Sequence, residues 1–305
     1  PGVTKDVTLV DCVIQGNIRN YGTGEVRFEA PQITPESTAA KPSEVYKPGA
    51  TLDRTLEYGG KTVPIYRDRP LNVFSDVDFI WTGEENENQR RLEYLGGEFR
   101  TRYGIDVSSF QGEIDWDAVA DDNIDFAMVR VGFRGTGTGS LNTDKYYEQN
   151  IRGAMRAGLE TGVYFFAQAV TVEEAIEEAD YVISLLDGLD INGPVAYDWE
   201  MHDSTYRVYG TSPEMATACA VAFCERIKDA GYTPMVYGGT YVTYMKYDQG
   251  ALADYLSWYP EYKSEKSEKL CPTLVYHMDY WQFSSSRAVA GINGRVDMNI
   301  QFIRR

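Results

Sequence analysis

From residue 101 onward the sequence alternates β-type and helix-type segments, and this alternation limits the fold more than any other feature. Runs rich in apolar, β-branched and aromatic residues occupy 103–107, 126–131, 163–167, 195–199, 234–237, 255–258, 274–283 and 295–300. Between several of them lie helical patterns with defined ends. Segment 144–157 stops at Gly158 and segment 171–186 stops before Gly188, because glycine enters the left-handed conformation that closes a helix without steric cost. Segment 212–230 opens with Ser212 as a capping residue and Pro213 at the first helical position, and Gly231 ends it. Repeated strand–helix units give a parallel sheet, and eight strands are enough to close it into a barrel. The later strands have short connections, so fewer than eight full helices are expected.

Residues 1–100 have a different rhythm. A strand is expected at 7–14, followed by a linker-like run punctuated by Pro31, Pro35, Pro42 and Pro48. Segments 55–58 and 61–63 pair across Gly59-Gly60, with Pro64 keeping the second arm at an edge. Short strands are expected at 72–74 and 77–81, and a polar helix at 84–95. The expectation is a small N-terminal β-rich accessory region over 1–100, and an α/β barrel domain over 101–305.

The net charge is −17, which argues against nucleic acid as a partner, since its phosphates are held by Lys and Arg. Only His202 and His277 are present, too few for a histidine metal site or a serine triad, and no G-x-S-x-G elbow occurs. No pair among Cys12, Cys219, Cys224 and Cys271 has C-x-x-C spacing; buried thiols are expected, with a Cys12–Cys271 bridge left open. No apolar run is long enough to span a membrane. The N-terminal residues lack a signal-peptide pattern, which leaves secretion undecided. No metal or cofactor is expected. The glycine-rich stretch Arg134-Gly135-Thr136-Gly137-Thr138-Gly139 lacks the Gly-Lys-Ser/Thr ending of a phosphate loop and is expected to be a flexible loop at the barrel mouth.

The carboxylates carry the functional signal. Within Pro194-Val195-Ala196-Tyr197-Asp198-Trp199-Glu200, an apolar strand ends on Asp198 and Glu200. Residues i and i+2 of a strand face the same side, so both acids point to one face, with Cα atoms roughly 6–7 Å apart. At the C-terminal end of a barrel strand they stand where barrel enzymes keep their catalytic groups. A glycosidic bond needs such a pair, one group to protonate the leaving oxygen and one to assist at the sugar carbon. Taken alone, an Asp-x-Glu is more often a solvated strand end. Asp106, in Gly104-Ile105-Asp106-Val107-Ser108, and Asp297, in Gly294-Arg295-Val296-Asp297-Met298-Asn299, add acids on the first and last barrel strands, which become neighbours on closure.

These segments, with Trp281-Gln282-Phe283, Gly291-Ile292-Asn293-Gly294 and Gly162-Val163-Tyr164-Phe165-Phe166, resemble glycoside hydrolase family 25 over about residues 101–303. The resemblance implies an irregular (β/α) TIM-like barrel with an incomplete helix ring. It also implies muramidase (lysozyme) activity on the β-1,4 bond between N-acetylmuramic acid and N-acetylglucosamine of bacterial peptidoglycan. On it, Glu200 corresponds to the general acid, Asp198 to its partner carboxylate, and Asp106 and Asp297 to the other acids of the pocket. N-acetyl assistance with retention is the favoured course. Tyr164, Phe166, Tyr237, Trp258, Trp281 and Gln282 correspond to substrate-binding positions. Phe283, where tyrosine is common, and Leu256-Ser257-Trp258-Tyr259 depart from the family pattern and bear on subsite detail. A secreted or wall-associated monomer is expected. The competing readings are a hydrolase of another N-acetylated glycan such as chitin, which would need a D-x-x-D-x-D-x-E strand, and a wall-binding protein without turnover, against which all four acids argue.

Overall fold

A computed structural model describes residues 40–83 and 90–305, together with the backbone of two short strands before them. Those strands, β1 (Val7–Val10) and β2 (Val26–Glu29), pair in parallel and belong to a compact unit spanning residues 1–39. The strand expected at 7–14 therefore keeps its first half; Cys12 lies outside the described residues, as do Pro31 and Pro35. The second compact unit runs from Ala40 to Arg305.

The second unit opens with the short helix α1 (Pro42–Val45) and the hairpin of β3 (Leu52–Tyr58) and β4 (Lys61–Tyr66). Gly59 and Gly60 make the turn with φ of 56° and 74°, a region that side-chain-bearing residues avoid. A second hairpin joins β5 (Phe79–Thr82) to β6 (Arg91–Tyr94). The helix expected at 84–95 is corrected here: residues 91–94 form a strand because Leu92 and Tyr94 pair with Trp81 and Phe79, and 84–89 lie outside the described residues. The strand expected at 72–74 does not form; the residue before it, Leu71, makes a single bridge to Tyr276.

The rest is a closed barrel with few helices. Its elements follow as β7 (Phe99–Val107), α2 (Trp116–Asp121), β8 (Phe126–Arg134), the short flanking strand β9 (Leu141–Thr143), α3 (Tyr147–Arg156), β10 (Glu160–Ala167), α4 (Val172–Leu185), β11 (Val195–Trp199), α5 (Pro213–Asp229), β12 (Pro234–Tyr237), α6 (Thr240–Met245), β13 (Leu256–Pro260), β14 (Tyr280–Arg287) and β15 (Val296–Arg304). The order β7-β8-β10-β11-β12-β13-β14-β15 returns to β7, so eight strands close. Ser212 caps α5, its hydroxyl accepting from the Met215 amide, as its place before Pro213 predicts. The all-parallel expectation fails at one strand: β15 is antiparallel to both neighbours. Residues 288–295 between β14 and β15 are too few for the crossover of a dozen or more that a parallel return requires.

Strand parity separates two apolar cores. Phe126, Met128, Ala196, Met235, Trp258 and Tyr280 fill the barrel interior. Val129, Val163, Val195, Tyr197 and Trp199 face outward, where Tyr197 packs on Phe223 of α5 at 4.8 Å. The helices α2 to α6 all precede β13, which leaves the β14–β15–β7 wall bare. The segment before the barrel covers it. Phe79 packs edge-on against Trp281, Trp81 against Phe283, and Phe74 lies 4.4 Å from the Phe302 ring. The Asn72 side-chain amide donates to the carbonyls of Pro272 and Leu274, and the Pro70 carbonyl accepts from His277.

Candidate active site

One end of the barrel gathers the acids. Asp198 lies beside Tyr237 on one flank and Phe166 on the other by strand register. Asp106 of β7 pairs directly with Asp297 of β15. Because β15 is antiparallel, Asp297 stands near the start of its strand and still reaches the same mouth as Asp106, which stands near the end of its own. The Asp198 and Glu200 carboxyls act on each other electrostatically, and so do those of Asp106 and Asp297. Two neighbouring carboxylates repel, which disfavours ionising both.

Burial raises the proton affinity of these carboxyls. Asp106 and Asp198 are each 5% exposed. Loss of water raises Asp198 well above the ordinary carboxylate range, with the Glu200 charge adding to the rise and Arg130 opposing it. Desolvation also raises Glu200, against the pull of His202, whose Nε2 stands 3.3 Å from Oε2. Asp297 is pushed to about 8 by burial and by Asp106. Asp106 rises only to about 6, because Gln282 Nε2 and Asn299 Nδ2 each donate to its Oδ2 at 2.8 Å and favour the anion. One Asp198 oxygen, Oδ1, has no hydrogen-bond partner although it is buried.

Around the acids stand most of the aromatic residues singled out from sequence. Tyr237 donates to Gln282 Oε1 at 3.1 Å, and its ring meets that of Trp258 at 4.8 Å. Tyr164 meets Trp258 edge-on at 5.8 Å. Phe166 is partly exposed beside Asp198. Trp281 does not join them. It is fully buried on the outward face of β14, with its indole N–H donating to the Glu261 carbonyl at 3.0 Å.

Several residues at the mouth carry no signal in the motif reading. Arg130 follows Met128 by two and so shares its inward parity; it bonds Asp144 at 2.8 Å and lies under the exposed ring of Phe110. Asn299 connects the Trp258 indole N–H, at 2.8 Å, to Asp106. Tyr262 shares the Gln282 oxygen with Tyr237. Strand parity gives a signal for Arg130 and Asn299; His202 and Tyr262, on loops, have none. A cleft of about 480 Å³ opens beside Glu200, bordered by Met201, His202, Tyr209, Tyr241 and Pro260.

A closed barrel with paired, buried carboxyls at one mouth and aromatic walls has the layout of a glycoside hydrolase. The chain belongs to glycosyl hydrolases family 25, whose family model matches residues 105–292. It is 26% identical over 197 residues to the autolytic lysozyme of Clostridium acetobutylicum, a match covering 64% of this chain and 54% of that protein. The chain thus spans about half the length of that relative. It is 27% identical over 201 residues to lysozyme M1 of Streptomyces globisporus, covering 64% of this chain and 66% of the relative. The crystal structure of a bacterial lysozyme from Streptomyces coelicolor superposes with a TM-score of 0.52 at 25% identity, over 65% of this chain and 90% of that one.

Proposed function

We propose that this chain is a muramidase that cleaves the β-1,4 bond between N-acetylmuramic acid and N-acetylglucosamine in bacterial peptidoglycan. The observation that carries the reading is the Asp198–Glu200 carboxyl pair at one strand end, buried at Asp198 and opening at Glu200 onto the cleft. The lysozymes it resembles support the same substrate class. Glu200, with a side chain 28% exposed, is the general acid, and burial keeps it protonated for that task. It donates its proton to the glycosidic oxygen as the bond to the sugar carbon breaks. The substrate's own N-acetyl oxygen attacks that carbon from the opposite face, Asp198 orients the acetamido group, and Glu200 as carboxylate then takes a proton from the incoming water. Configuration is retained. Asp106 and Asp297 hold the sugar's polar edge, and Tyr164, Phe166, Tyr237, Trp258 and Gln282 line the ring's path.

In this reading the barrel is an irregular (β/α) TIM-like one whose helix ring is incomplete, and residues 71–83 and 90–94 cover the wall of β14, β15 and β7 instead of helices. The catalytic part is the 101–305 barrel, with 1–100 accessory to it. The enzyme acts as a monomer outside the cell or at the wall. Among the described residues no helix is long and apolar enough to cross a membrane.

Glu200→Gln tests the reading. Release of reducing ends from purified peptidoglycan falls by at least about a thousandfold, while the thermal transition stays in place. Wild-type turnover in the variant removes Glu200 from the mechanism.

A further inference from the structure

The loop that follows Glu200 is tied to the barrel at several points, and the ties converge on one buried amide. Gln168, just past the end of β10, is fully buried. Its side-chain Nε2 donates to the main-chain carbonyl of Glu200 at 2.8 Å. Its backbone N–H donates to Glu178 Oε1 at 3.0 Å, and the same oxygen takes the Arg134 Nε at 2.7 Å. Glu178 is fully buried on α4, so this anchor is rigid. The backbone carbonyl of Gln168 accepts from Arg207 Nη1 at 2.9 Å. Arg207 belongs to the loop itself and also grips Glu174 of α4 through both terminal nitrogens, at 2.9 and 2.7 Å.

The glycine-rich stretch after Arg134 finds its use in the same place. Its Thr136 carbonyl accepts the Arg207 amide at 2.9 Å. Gly139 has φ of 70°, and a Cβ there would stand 3.2 Å from the Arg207 guanidinium carbon. Arg134 Nη1 donates to the Gly139 carbonyl at 2.8 Å. The stretch is a hydrogen-bonded turn after β8 that cradles Arg207.

We propose that Gln168 and Arg207 are positioning residues for the acid: Gln168 fixes the main chain at Glu200, and Arg207 closes the following loop onto α4, so that the Glu200 carboxyl stays against Asp198. Neither touches the reacting atoms. The inference rests on the reading of Glu200 as general acid. A bidentate guanidinium–carboxylate grip on a rigid helix restricts direction as well as distance, which a lone backbone contact does not. Placement matters because a misplacement of about 1 Å can cost on the order of a hundredfold in rate.

The consequence for pH follows from what faces Glu200. The carboxyls of Asp198, Asp106 and Asp297, the His202 ring, and the phenols of Tyr206, Tyr237 and Tyr262 surround it electrostatically. Released from the clamp, Glu200 gains water, and because loss of water is the largest cause of its raised pKa, this outweighs the weaker lowering influence of Asp198 that is lost with it. Its pKa relaxes downward, and the fall in activity on the alkaline side begins at lower pH.

Gln168→Met keeps the volume and removes the donor; Arg207→Met removes the grip from a partly exposed side chain. Each variant of the whole chain is assayed on purified peptidoglycan for kcat, KM, pH profile and thermal transition, beside Glu200→Gln. The expected result for Gln168→Met is a kcat lower by about tenfold or more, KM within about twofold, and the alkaline limb displaced to lower pH. Arg207→Met moves in the same direction and Arg207→Lys recovers part of the loss. Wild-type kcat and pH profile in folded Gln168→Met overturn the proposal. If that variant does not fold, the same wild-type result in Arg207→Met overturns it. An inactive Glu200→Gln beside unaffected clamp variants removes the clamp and leaves the acid; an active Glu200→Gln removes the acid reading itself.

Discussion

Asn299 shows how much of this interior depends on single polar atoms. Its oxygen takes the Trp258 indole N–H and its nitrogen donates to Asp106, both at 2.8 Å, and the residue is fully buried. Asn299→Leu leaves a buried N–H unpaired and strips one of two donors from a buried carboxylate. Each loss costs about 1–3 kcal/mol, so denaturant unfolding should report a destabilisation of about 2–6 kcal/mol. An unchanged midpoint would mean that water replaces both bonds. Gly104 is the steric counterpart. A Cβ there would lie 2.3 Å from the Phe126 ring, which fills the barrel floor, so Gly104→Ala should destabilise by about 1–3 kcal/mol. The acids were legible because strand parity and strand ends are visible in sequence. The same parity limits the aromatic reading: Gln282 faces Asp106, so its neighbour Trp281 faces outward, and consecutive strand residues cannot both line one site. Side chains that act through loops, such as His202 and Tyr262, leave no periodic signal and required the folded chain.

At the scale of elements, the strand–helix rhythm gave seven of the barrel strands their direction, because each was followed or preceded by a connection long enough to cross over. The exception, β15, shows that connection length outweighs rhythm. The stretch 84–95 reads as helical from its polar pattern, whereas pairing with β5 is what makes Arg91–Tyr94 a strand. That information is tertiary. The helix-free wall has an energetic consequence. Phe79, Trp81 and Leu92 are buried against residues of the barrel cluster, and each full burial is worth about 1.5–3 kcal/mol. Deleting residues 1–100 should therefore expose Trp281, Phe283 and Phe302 and give a chain that aggregates or loses its cooperative thermal transition. A soluble, cooperatively folding 101–305 fragment would instead make the preceding residues independent of the barrel.

Across the whole molecule, buried acids set the response of stability to pH. Asp106, Glu178 and Asp297 are held near about 6, about 7 and about 8 by burial. A carboxyl whose folded pKa lies above its unfolded value binds its proton more tightly in the native state. Stability from these groups is present below the unfolded value near 4 and is lost as pH rises through the folded values. The melting temperature should accordingly be several degrees higher at pH 5 than at pH 8. The carboxyls held low by hydrogen bonds, such as those of Asp53 and Asp76, act only at the acid extreme. A melting temperature that rises steadily from pH 5 to pH 8 would show that these acids are ionised and paired in the folded protein. The bond that is cut is read directly from the products. Mass spectrometry of a digest of purified peptidoglycan should find fragments ending in a reducing N-acetylmuramic acid. Fragments ending in a reducing N-acetylglucosamine, or no fragments at all from folded protein, would contradict it.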